Sequence, residues 1–93
     1  MPSYLVETFL ARDAKGERRL REGRARSAAD EMTREGTRVG FEGSIYVPED
    51  DACFFLYEGS SAQLVKAAAM RAQLGVLRVD EAMRLDFEGG EPS

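Results

Sequence analysis

Histidine is absent from this 93-residue chain and cysteine occurs once, at Cys53. Acid–base and ligand chemistry therefore falls to carboxylates, tyrosines and arginines. Imidazole bases and imidazole metal ligands are excluded, as are an internal disulfide and a cysteine-built zinc site. Cys53 lies in the apolar run Cys53-Phe54-Phe55-Leu56-Tyr57, where a lone thiol reads as a small buried hydrophobe. Glu7 and Glu42 interrupt otherwise apolar stretches. A carboxylate pair in a partly dry cavity could share a proton or hold a hard cation, one charge raising the other's pKa. The plainer alternative is that each meets an arginine or water at a sheet rim, and Arg84 is a salt-bridge partner in either case. Tyr46 and Tyr57 combine apolar area with one hydrogen-bonding handle, which suits a flat organic ligand or a core position; Ser44 lies beside them. Glu7, Glu42, Ser44, Tyr46, Tyr57 and Arg84 are the candidate ligand-binding residues. No catalytic residue is assigned, and no metal or other cofactor is expected. Spacings for a phosphate loop, a dinucleotide fold, a serine triad or a zinc site are missing.

The net charge of −4 is unevenly spread. Positions 12–38 hold nine Arg/Lys against six Asp/Glu, and the remainder holds four against eleven. A general nucleic-acid binder would show a dominant basic face, so no nucleic-acid partner is expected. Arg18, Arg19, Arg21, Arg24 and Arg26 spread around a helix rather than along one stripe, which predicts a solvated surface laced with charge pairs.

The elements that must position these residues follow from periodicity. Tyr4 to Phe9 is rich in β-branched and aromatic residues and predicts a first strand. Glu17 to Glu35 has no proline and many helix formers, with Leu20, Ala25, Ala28, Ala29 and Met32 as its apolar stripe; Gly36 stops it. From Thr37 to Val47 the sequence alternates, placing Val39, Phe41, Ile45 and Val47 on one face and Glu42, Ser44 and Tyr46 on the other. Pro48 to Asp51 is a turn, and Ala52 to Tyr57 a strand apolar on both sides. A serine of the pair Ser60-Ser61 caps a helix from Ala62 to Leu74, and Leu77 to Phe87 alternates as a fourth strand. Residues 88–93 form a flexible tail.

This βαββαβ order predicts a single α+β domain over residues 1–93, with an ordered core at about 4–87. It is the split ferredoxin-like arrangement: a four-stranded antiparallel sheet with two helices on one face. The two-sided apolar third strand predicts that a second copy covers the bare face, giving a homodimeric α/β barrel around a cavity. No apolar run reaches the roughly 18 residues of a membrane span and no signal peptide is visible, which predicts a cytoplasmic protein without membrane contact.

The succession Ser44-Ile45-Tyr46-Val47, Asp50-Asp51, Phe55-Leu56-Tyr57, Ala62 to Arg71 and Arg78-Val79-Asp80-Glu81, with Tyr4-Leu5-Val6-Glu7 at the start, resembles a family of small bacterial nickel-binding-like proteins of unknown function. The likeness covers about residues 4–87 and implies a ferredoxin-like dimeric α/β barrel. Tyr46 and Tyr57 match tyrosines of that family. It would also imply a metal in some members, but the family's helix-two histidine corresponds here to Ala68, and its Gly-Phe-Pro is Gln73-Leu74-Gly75. Late transition metals favour imidazole at such sites, so the metal is not carried over.

Three functions are compatible with these residues. One is a dimeric module that binds a small molecule or ion. A second is a cofactor-independent oxygenase- or cyclase-like enzyme using Glu7, Glu42 or the tyrosines. An RNA-binding domain of the same strand order is the third, and it lacks the basic-aromatic pattern such domains carry.

Overall fold

A computed structural model of the chain describes residues 1–14 and 16–83. The elements run β1 (Ser3–Phe9), α1 (Glu17–Arg34), β2 (Val39–Val47), β3 (Ala52–Gly59), α2 (Ala62–Arg71) and β4 (Val76–Ala82). Short 3-10 turns at Arg12–Ala14 and Pro48–Asp50 lie between β1 and α1 and between β2 and β3. The strand order is β2-β3-β1-β4, with every neighbouring pair antiparallel. This is the ferredoxin-like α+β fold that the element order predicts. The fourth strand is described as far as Ala82; its expected continuation to Phe87, and the tail 88–93, lie outside the described residues.

Hydrophobic burial builds one core between the sheet and the two helices. Tyr4, Val6, Cys53, Phe55 and Tyr57 supply its sheet side, and Ala25, Ala28, Ala29, Val65, Ala68 and Ala69 its helix side. The alanines keep both helices low on the sheet. Gly59 takes that close approach furthest, since a Cβ there would lie 2.9 Å from Val65 Cγ2. Ser61 Oγ accepts the Leu64 N–H and caps α2. The helix ends at Arg71, three residues before the expected Leu74, and positive φ angles at Gln73 and Gly75 turn the chain into β4.

Two expectations from periodicity are corrected. Leu20 is 65% exposed rather than part of the α1 stripe, because five residues carry a helix about 140° past the direction of Ala25. Continuing the stripe backwards from Ala25 by helical spacing reaches Arg21, Glu22 and Arg18, so the N-terminal half of the sheet-facing side is polar.

The second correction concerns β2. Phe41 pairs with Tyr57 and Gly43 with Leu56, leaving Glu42 as an extra residue in a β-bulge. Gly43 takes φ +147°, which a glycine adopts without strain. A one-residue insertion swaps the faces of everything after it. Val39 and Phe41 face the helices, whereas Ile45 and Val47 face the bare side; Ser44 and Tyr46 turn under α1 instead of away from it.

Candidate functional site

Cross-strand partners share a face, so the strand register assigns each candidate. Glu7 lies on the helix-free face, opposite Phe54 on one side and Arg78 on the other. Its carboxylate is 3.6 Å from Arg78 Nε, which is 2.7 Å from Asp80. Glu42 occupies the bulge and is exposed. Ser44, Tyr46 and Tyr57 all lie on the helix side. Glu7 and the two tyrosines are therefore separated by the sheet. Arg84 lies outside the described residues.

Tyr57 is fully buried and meets Phe41 edge-on, ring centroids 5.5 Å apart. Its hydroxyl has no hydrogen-bond partner, and burial drives its pKa well above the ordinary phenol value. It is a core residue. The Tyr46 hydroxyl is likewise buried and unpartnered, but its ring lies at the edge of an open groove of about 460 Å³ shared with Arg18, Arg19 and Glu22.

Beneath α1 a polar niche follows directly from the polar half of that helix. Arg18 donates from Nε to Ser44 Oγ and from a terminal nitrogen to the Ser44 carbonyl, both at 3.0 Å. Ser44 Oγ in turn donates to the Glu22 carboxylate. Arg21 donates to the Phe9 carbonyl at 2.9 Å and lies 3.5 Å from Thr8 Oγ1; its Nε is 3.5 Å from the Glu17 carboxylate, within ionic range though not hydrogen-bonded. Thr8, fully buried, donates to the Cys53 carbonyl at 2.8 Å. Burial pushes the Cys53 thiol up, opposed in smaller measure by Arg18 and Arg21. A buried, protonated thiol is a poor nucleophile, and the niche is spent on internal bonds.

Arg19 and Arg26 are exposed as expected of a solvated face, whereas Arg18, Arg21 and Arg24 reach backbone carbonyls. Arg24 donates to the Ala72 and Gln73 carbonyls at 2.8 and 3.1 Å, taking up acceptors left open at the end of α2. Arg71 answers from α2 with a two-armed bond to Glu35 at 3.1 and 3.2 Å. Arg26 lies 5.4 Å from the Phe41 ring centre. Sequence reasoning expected charge pairs, and Arg18 with Glu22 and Arg21 with Glu17 form them at a spacing of four on the helix; it missed the arginine bonds to backbone carbonyls.

The helix-free face is of another character. Leu5, Phe9, Ile45, Phe54 and Leu56 all lie on it by register, with Phe9 58% and Ile45 56% exposed. Ser3, Leu5, Ile45, Leu56, Ala82 and Met83 line a shallow apolar depression of about 210 Å³. Among the described residues no three His, Cys, Asp or Glu side chains converge to hold a metal ion. No described helix is long and apolar enough to cross a membrane.

No family model matches the chain, and no curated protein does. Among solved structures, the crystal structure of SCO4226 from Streptomyces coelicolor A3(2) is similar, with a TM-score of 0.60 over 90% of this chain and 99% of that one. The two share 18% sequence identity, so the likeness establishes the ferredoxin-like fold alone.

Proposed function

We propose that this chain works as a homodimer in which two bare sheet faces enclose an apolar chamber for a small organic molecule. The observation that carries this is the helix-free face itself. Its two central strands present Leu5, Phe54 and Leu56, which are half-buried by their neighbours in the sheet, and edge strand β2 adds the exposed Ile45, with both helices on the other face. An exposed apolar patch of this extent marks an interaction site. Four strands about 4.8 Å apart, at about 3.3 Å per residue, span a footprint on the order of 500 Å². Two such footprints make about 1,000 Å² in total, the lower end of specific interfaces.

Isologous pairing is the commonest way for a soluble chain to cover such a face, since one patch then serves both copies. The apolar depression becomes a closed space when its two-fold-related copy lies across it, and closed apolar spaces with a few polar groups are where small molecules bind. The resemblance to the small nickel-binding-like family supports the same pairing. With no histidine in the chain, that family's metal has no imidazole to hold it and is left out of the proposal. Glu7, with Arg78 beside it, supplies the polar contact. Tyr57 belongs to the core, and Ser44 and Tyr46 to the niche beneath α1, so neither group lines the chamber.

The test is sedimentation velocity of the protein and of its Ile45→Asp and Leu56→Asp variants. The wild type should sediment as a dimer at micromolar concentration and both variants as folded monomers. A wild type that sediments as a monomer rules the proposal out.

A further inference from the structure

We infer that the guest of this chamber is an apolar organic cation: a molecule with about one ring of hydrophobic surface and a protonated amine. The assignment rests on the paired-sheet proposal above and adds the chemistry of the ligand. The size comes from the depression, whose volume of about 210 Å³ exceeds the ~150 Å³ of an apolar cavity that accepts benzene.

The sign of the charge comes from what borders that depression. Asp80 is directly opposite Leu5, and Glu58 is opposite Ser3. Glu7 lies two residues along β1 from Leu5, on the same face. Three carboxylates thus border an apolar floor, and Arg78 is the one cation placed among them by the described register. That guanidinium is 67% exposed and already held by Asp80 and Glu7. Glu7 is the more enclosed partner, its side chain 32% exposed. A second copy brings the same excess of negative charge to the other side of the chamber.

Enclosing carboxylates in an apolar space is unfavourable unless a positive charge meets them. A neutral guest would leave that excess in place, and an anionic guest would add to it. A cation neutralises it, and Phe54, directly opposite Glu7, places an aromatic ring beside the carboxylate where an ammonium group can use both. Apolar floor, adjacent carboxylate and neighbouring ring together describe an amine-binding site.

Three probes of one size separate the possibilities: 2-phenylethylamine, 2-phenylethanol and phenylacetate, each titrated calorimetrically into the full chain at pH 7, with light scattering on the same solutions. The amine should bind at least about tenfold more tightly than the alcohol, and phenylacetate more weakly than either. Glu7→Gln should erase the amine's advantage while the protein remains a dimer. A dimer that binds the alcohol or phenylacetate as tightly as the amine, or binds none of the three, overturns the inference and leaves the paired sheets standing. A monomeric mass overturns the pairing, and the inference with it.

Discussion

Replacing Tyr57 by phenylalanine should stabilise this protein. The hydroxyl is fully buried with no hydrogen-bond partner, and a buried polar group left unsatisfied costs about 1–3 kcal/mol. The ring stays in place, edge-on to Phe41, so the apolar contacts survive and only the small gap left by one oxygen offsets the gain. A net gain of about 1 kcal/mol corresponds to a rise in Tm of roughly 4–8 °C for a domain of this size. The pH dependence supplies a second readout. The folded-state pKa of Tyr57 is raised by burial, so its proton is held more tightly in the folded state than in the unfolded one. Its contribution is complete below the ordinary phenol pKa near 10 and is lost as pH rises beyond it. Urea denaturation at pH 7 and again at pH 10.5 should show Y57F more stable at both, with a smaller alkaline loss than wild type. A variant destabilised by 1 kcal/mol or more at pH 7 would refute the assignment of an unsatisfied hydroxyl in the core.

Further outcomes follow from the packing. Gly59→Ala should cost about 1–3 kcal/mol by overpacking against Val65, and Val65→Ala should cost less in the Gly59→Ala background than in wild type, a coupling that a double-mutant cycle in urea will quantify. Arg24→Met should cost about 0.5–1.5 kcal/mol by removing its part-buried bond to the Ala72 carbonyl and its exposed bond to the Gln73 carbonyl, acceptors that water then takes over, read from the shift of the denaturation midpoint. Cys53 is buried and its thiol pKa raised. Its labelling by a thiol-specific disulfide reagent should therefore be slow in buffer and fast in denaturant; fast labelling of the folded protein would contradict its burial.

The fold was legible in the sequence because each element obeys one period. Glu17–Arg34 lacks proline and carries its alanines at helical spacing, and Gly36 and the pair Ser60-Ser61 mark boundaries that the structure keeps within a residue or two. The candidate site was much less legible, for one physical reason. A bulge adds a residue to a strand without disturbing the written alternation, so Val39, Phe41, Ile45 and Val47 look like one face and are two. The available hint was Gly43, a glycine inside a strand, which favours a bulge. That single insertion moved Ser44 and Tyr46 beneath α1 and separated them from Glu7. The place of Tyr57, in a ligand site or in the core, stayed open for a different reason. In the run Cys53 to Tyr57 both phases are apolar, and nothing in the letters says which one meets the helices. The niche around Arg18, Glu22 and Ser44 joins residues 22 and 26 positions apart, a proximity that only the folded register creates.

Molar mass by light scattering, followed from millimolar to low micromolar chain concentration, addresses the bare sheet most directly. Two copies bound through Leu5, Ile45 and Leu56 predict a mass twice that of the chain across the micromolar range, and the mass of one chain for Ile45→Asp. A wild-type mass of one chain throughout would contradict the account and leave the sheet face without a partner.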